Sequence, residues 1–144
     1  MQKKLPLLFI FLVGTLIMGA ASHPFNVHDM LAMDRISDLK LSPNGSQIAF
    51  TIRKTDLEAN RGRTDIWILD VLTRKLTQMT EDPAGDFSPR WSPCGKDLYF
   101  LSSRSGSSQV WRMAADGSRE PEQITALPLD VNGSWFPPRA TPWR

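Results

Sequence analysis

The chain has 144 residues, 41% hydrophobic and 22% charged, with a formal net charge of +2 and one cysteine, Cys94. A single cysteine excludes an internal disulfide framework and a thiolate metal site. The basic excess comes from Lys3 and Lys4: without them 15 basic residues face 15 acidic ones. The short stretch Arg53, Lys54, Arg61, Arg63 then reads as solvated loop charge, and no nucleic-acid partner is expected.

In chain order, the first element is a leader. Lys3 and Lys4 precede an apolar run from Leu5 to Met18, broken by Gly14 and Thr15, and then the small residues Gly19, Ala20, Ala21 and Ser22. The run is too short to span a bilayer comfortably, and the three parts together form a secretory signal peptide over residues 1–21, cleaved after Ala21. Export to the periplasm or medium is therefore expected, with no stable membrane anchor after cleavage. Residues 22–35 carry a short amphipathic helix: Asn26 is a good N-cap, Val27, Met30 and Leu31 share one face, and Asp29 suits the positive end of the helix. The helix is expected to pack on the β-structure beyond it. His23 and His28 have no carboxylate or cysteine at ligand spacing, so no metal is assigned to them.

Residues 36–132 are β-forming and say one phrase twice. Leu41-Ser42-Pro43-Asn44-Gly45-Ser46-Gln47-Ile48-Ala49-Phe50 returns as Trp91-Ser92-Pro93-Cys94-Gly95-Lys96-Asp97-Leu98-Tyr99-Phe100, a step of 50 residues from Ser42 to Ser92. In the first unit Pro presets φ in the turn and Asn-Gly accepts positive φ. Gln47 to Arg53 then alternates as a half-buried strand, with Ile48, Phe50 and Ile52 on one face. Asp65–Asp70 and Lys75–Thr80 supply further strands. The second unit matches with Asp97–Leu101, Gln109–Met113 and Glu122–Thr125, and Ala115-Asp116-Gly117-Ser118 is its hairpin turn. Trp67 to Trp111 is 44 residues and Gln78 to Gln123 is 45, which places the first unit's extra length in Lys54–Thr64, read as an inserted surface loop. Four short strands per unit are the content of a propeller blade. The fold class is all-β: an incomplete β-propeller of about two four-stranded blades, with a β-sandwich as the alternative. Trp67 and Trp111 are read as packing residues. Because propellers close with at least about four blades, two should leave apolar faces and strand edges open.

Residues 133–144 break the pattern: three prolines and two tryptophans follow Ser134 with neither alternation nor a hairpin turn. The genetic code permits a neighbouring frame, entered by loss of one base in the Gly133 codon, to read Phe-Leu-Val-Ser-Pro-Glu-Gly-Asp-Thr-Leu-Ala. That would be the third phrase, so an aberrant tail produced by a frameshift is compatible with the genetic code, and an intact frame is the alternative.

Catalytic motifs are missing. The chain contains no G-x-S-x-G elbow, P-loop or G-x-G-x-x-G, and Ser105-Gly106-Ser107 and Gly117-Ser118 have the wrong spacing. No catalytic, cofactor-binding or metal residue is assigned. Glu81-Asp82 reads as a solvated loop between blades and Cys94 as an unactivated thiol. Asn44-Gly45-Ser46 and Asn132-Gly133-Ser134 match the glycosylation sequon but read as turn chemistry and tail.

From Phe25 to about Asn132 the sequence resembles the start of a prolyl oligopeptidase-family serine peptidase of the dipeptidyl-aminopeptidase or acylaminoacyl-peptidase type. The resemblance rests on Asp29-Met30-Leu31-Ala32-Met33-Asp34-Arg35-Ile36-Ser37-Asp38, the two Ser-Pro turns, Phe100-Leu101-Ser102-Ser103-Arg104 and Gln109-Val110-Trp111. It implies a parent whose N-terminal propeller restricts access of peptide substrates to a C-terminal α/β-hydrolase domain with a Ser/Asp/His triad. On that reading this chain is a truncated propeller segment, inactive alone. The turn motif is shared with non-enzymatic periplasmic propellers such as the Tol-associated translocation protein, and a piece of such a binding propeller is the alternative.

Overall fold

The computed structural model describes residues 24–132. The expected leader over 1–21, His23 and the tail over 133–144 lie outside these residues. The capped helix forms as expected, α1 (Val27–Ala32), and its first turn is closed by a reciprocal capping box. Asn26 Oδ1 accepts from the N–H groups of His28 and Asp29 at 2.8 and 3.2 Å, and Asp29 Oδ2 accepts from the Asn26 N–H at 2.8 Å. The helix lies beside the second strand, but none of its residues is fully buried, so its apolar face is only partly used.

Beyond the helix lie two antiparallel four-stranded meanders. The first blade is β1 (Arg35–Leu41), β2 (Gln47–Asp56), β3 (Arg61–Asp70) and β4 (Leu76–Gln78). The second is β5 (Asp86–Trp91), β6 (Asp97–Ser102), β7 (Gln109–Ala114) and β8 (Glu122–Gln123). Each pairs in sequence order, so the repeated phrase marks the turn between a blade's first and second strands. The hydroxyl of Ser42 accepts from the Gln47 N–H at 2.9 Å, and that of Ser92 from the Asp97 N–H at 3.0 Å. Gly45 and Gly95 close the two turns at φ 74° and 71°, where a side chain would be strained. Serine and glycine therefore recur because the turn needs a fixed acceptor and a left-handed residue. A second shared irregularity precedes it: each blade's first strand bulges, with Asp38 at φ 56° and Ser88 at φ 55°.

The blades pack face to face. Ala49, Ile66 and Ile68 of the first meet Leu98, Phe100 and Met113 of the second, with Met79, Trp91 and Trp111 around the margin. The Trp91 indole N–H also donates to the Lys40 carbonyl at 2.8 Å, tying the two inner strands. This revises the alternation read for β2. Both its faces are buried from Ala49 to Ile52, and the small-residue face carrying Ala49 and Thr51 is the one pressed on the second blade. A propeller blade has neighbours on both faces, so alternation marks which blade a residue touches.

The segment Lys54–Thr64 is also not an irregular insertion. Lys54 pairs with Arg63, Thr55 with Gly62 and Asp56 with Arg61, extending the β2–β3 hairpin beyond that of the second blade. Polar residues suit this extension because it projects past the neighbouring blade. The expected open surfaces are present: Ile36, Leu39 and Leu41 on β1 are 60%, 58% and 62% exposed.

Candidate functional site: the interblade junction

The chain between blades, residues 79–86, is where polar groups become buried. It starts on the outer strand, where Met79 N–H donates to the Ile66 carbonyl at 2.8 Å and Thr80 Oγ1 accepts from the Ile66 N–H at 3.0 Å. It then crosses the blade end to place Asp86 at the head of β5, with no exposed surface at all. Arg104 meets that carboxylate: its guanidinium reaches Asp86 Oδ2 at 2.7 Å and Ser102 Oγ at 3.0 Å and lies 3.8 Å from Asp82. The same guanidinium stacks 4.8 Å from the Trp111 ring centre and 5.7 Å from that of Phe100. A planar cation thus joins linker, inner strand and aromatic core.

Asp65, 9% exposed on β3, faces the same junction. Its Oδ1 and that of Asp86 have no hydrogen-bond partner among the described residues. Burial first, and the charges of Asp86 and Glu81 second, push the Asp65 carboxyl up from 3.8 to about 6, against a partial offset from Lys54 and Arg63. In the second blade the corresponding position is Gln109, whose neutral amide holds segment 124–131 instead. At the opposite end of the blades Lys96, Asp97, Asp116 and Arg119 line an open groove, within which Arg119 pairs with Asp97 at 2.8 Å.

Residues 36–138 match PD40, the TolB β-propeller domain. The chain belongs to this family. Among curated relatives of this PD40 chain, the uncharacterised peptidase YuxL of Bacillus subtilis is 28% identical over 111 residues, covering 76% of the chain and 17% of YuxL. Dipeptidyl-peptidase 5 of Porphyromonas endodontalis is 27% identical over 104 residues, covering 72% of the chain and 15% of that protein. The solved structure of the AtxE2 isopeptidase superposes with a TM-score of 0.63 at 20% identity, covering 74% of the chain and 21% of the isopeptidase, which shows the shared propeller fold. The chain therefore spans about a sixth of the length of these curated relatives.

The residues singled out in the sequence separate in this PD40 framework. Asp82 is more than solvated loop charge: it accepts from the Ala84 N–H at 2.8 Å and pairs with Arg104. Trp111 packs on the interblade core, and Trp67 carries Lys54 5.2 Å from its ring centre. Cys94 is exposed in its turn, where the Ser92 hydroxyl first and the Lys96 N–H second lower its thiol pKa. Among the described residues, no group of three His, Cys, Asp or Glu side chains is placed to hold a metal ion. What the junction can do chemically is lock two blades together. The sequence reading takes Glu81-Asp82 as solvated loop charge and misses Asp86 and Arg104, a carboxylate at the head of β5 and a guanidinium just beyond β6.

The Asp65 position predicts a pH dependence. With the folded pKa raised, the unfolded chain ionises Asp65 from about pH 3.8 while the folded state holds its proton until about 6. Stability therefore falls as pH rises through that window, and above it the folded state bears the full cost. Asp65→Asn is expected to remove this fall and gain roughly 1–2 kcal/mol at neutral pH, after allowing for screening by nearby water. Amide exchange across β2 and β3, compared at pH 4 and 7.5 in both chains, reads the difference. Equal pH profiles would discard the assignment.

Proposed function

We propose that this chain forms the opening blades of the propeller of an exported serine peptidase of the dipeptidyl- or acylaminoacyl-peptidase type, a propeller that restricts which peptides reach a separate catalytic domain. The observation that carries the reading is the pattern of similarity. Peptidases match 76% and 72% of the chain, yet the match occupies only 17% and 15% of their length. What these blades contribute is a rigid wall, held by the interblade core and the Asp86–Arg104 pair, with loops at each end. The signal peptide read from the sequence over residues 1–21 supports export.

The sequence offers no nucleophile–histidine arrangement, so the 144-residue chain is expected to release nothing from chromogenic dipeptide or acyl-amino-acid amides and to take no label from a fluorophosphonate probe for activated serine. Hydrolysis that survives purification to homogeneity, or stoichiometric labelling, would overturn the assignment of catalysis to another domain. The binding-propeller alternative is favoured by one observation, the family's own TolB description. Genomic sequence encoding G-x-S-x-G followed by Asp and His in the same locus would decide for the peptidase.

A further inference from the structure

The path of residues 79–86 and that of residues 124–131 leave their blades through the same pair of hydrogen bonds. Ile124 N–H donates to the Val110 carbonyl at 2.8 Å, as Met79 does to Ile66, and Thr125 Oγ1 accepts from the Val110 N–H at 2.9 Å, as Thr80 does from Ile66. Thr80 lies six residues before Asp86, and Thr125 lies six before Val131. Val131 thus occupies the place of Asp86, the first residue of a blade's inner strand. It is 7% exposed and packs with Leu101 and Val110, beside Phe87 and Tyr99, on the face of the second blade turned away from the first. Its N–H is already held by the Ser108 carbonyl at 2.7 Å. The second blade therefore presents Val131, at the position equivalent to Asp86, over an apolar face.

This register makes two demands on the chain beyond Val131. In both blades the residue two places on, Asp38 or Ser88, has positive φ; the equivalent position is 133, where the sequence has glycine, the residue that accepts that conformation best. In both blades the turn serine lies six places on, from Ile36 to Ser42 and from Asp86 to Ser92, so the third must fall at position 137. The chain has Pro137 there. Restoring one base after the first two of codon 133 leaves glycine at 133, because GG with any third base reads glycine, and makes the next four codons able to read Phe-Leu-Val-Ser. Serine then arrives at position 137, followed by Pro-x-Gly.

We infer that the repeat series continues across Gly133 in the neighbouring reading frame, and that the third blade encoded there is the occupant of the Leu101–Val110–Val131 face. This third blade is required equally by a peptidase parent and by a binding propeller. The genetic code makes it specific: a Ser-Pro-x-Gly reading requires the Phe136 codon to be TTT, the Pro137 codon CCC and the Arg139 codon to end in G.

Sequencing the gene from independently prepared DNA reads all three, together with the frame beyond. The expected result is those codons and an open neighbouring frame with a further Ser-Pro-x-Gly roughly 40–50 codons later, the repeat length of bladed propellers. Any other base at one of these positions, or an early stop in that frame, overturns the frame. The docking half is read separately, by inserting one base after the GG of codon 133 and expressing the longer product. Amides of Leu101, Val110 and Val131 should exchange at least tenfold more slowly than in the 144-residue chain. Unchanged exchange at all three overturns the assignment of this face to the third blade.

Discussion

Arg104→Met is expected to cost the interblade junction about 3–5 kcal/mol, the usual penalty for stranding one member of a buried ion pair. The magnitude follows from an asymmetry in exposure: the Asp86 side chain is 0% exposed and that of Arg104 only 16%. Methionine can follow the aliphatic path of arginine past Trp111, but it offers no donor to Asp86, whose other oxygen already lacks a partner among the described residues. The buried carboxylate is then left without its charge partner unless the junction opens to water, and either costs free energy. Native-state hydrogen exchange of the β5 and β6 amides should accelerate a hundred-fold or more, since each ~1.4 kcal/mol is a factor of ten. The outer hairpin of the first blade, where Lys54 pairs with Arg63, should be little affected because it opens independently. The double variant Arg104→Met with Asp86→Leu should recover most of the loss, as apolar replacements of buried pairs commonly do. A single variant within about 0.5 kcal/mol of the parent chain would show that the pair is not what closes this junction.

Local chemistry makes much of this architecture legible in the sequence. Ser42-Pro43-Asn44-Gly45 announces its turn because each residue type answers a backbone requirement fulfilled within a few positions, and the second unit repeats it. Asn26 and Asp29 are readable as a cap for the same reason. What escapes a sequence reading is whatever depends on the neighbouring blade. Alternation along Gln47–Arg53 separates inside from outside only in a sheet covered on one face, whereas Ala49 and Thr51 are buried because a second sheet lies against them. Polar Lys54–Thr64 has the composition of a loop because nothing in the sequence says that a hairpin extends beyond its partner blade. Asp86 resembles any acidic residue before an aromatic one; its burial is fixed by Arg104, 18 residues away. The junction is therefore hidden where the fold is plain, since its bonds link repeats and the recurring phrase lies within them.

Gln109→Leu should release the strap that follows the second blade, with a local loss of about 2–4 kcal/mol, because five hydrogen bonds made by one buried amide are lost at once. Gln109 is 1% exposed. Its Nε2 donates to Ser107 Oγ at 2.9 Å and to the carbonyls of Leu127 and Leu129 at 3.0 and 3.2 Å, while its Oε1 accepts from Thr125 Oγ1 at 2.8 Å and the Leu127 N–H at 3.0 Å. An amide serves here because it is donor and acceptor in one plane; leucine matches its bulk and supplies neither. Limited proteolysis between Thr125 and Asp130 should become faster, and the Val131 amide should lose its protection, while β2 and β3 keep theirs. Unaltered protection at Val131 would assign the hold on the strap to the Ser108 hydrogen bonds and Val131 packing instead of Gln109. Gln109→Glu sharpens the test. It keeps the acceptor facing Thr125 and Leu127 but turns a negative charge toward two carbonyl oxygens, so it should be at least as damaging as leucine at neutral pH and recover as the carboxyl is protonated in acid. The first blade carries a carboxylate at the equivalent position, Asp65, with its pKa already raised to about 6. Recovery of the glutamate variant in acid would place the two junctions under one rule: each is more stable when the side chain at that position carries no net charge.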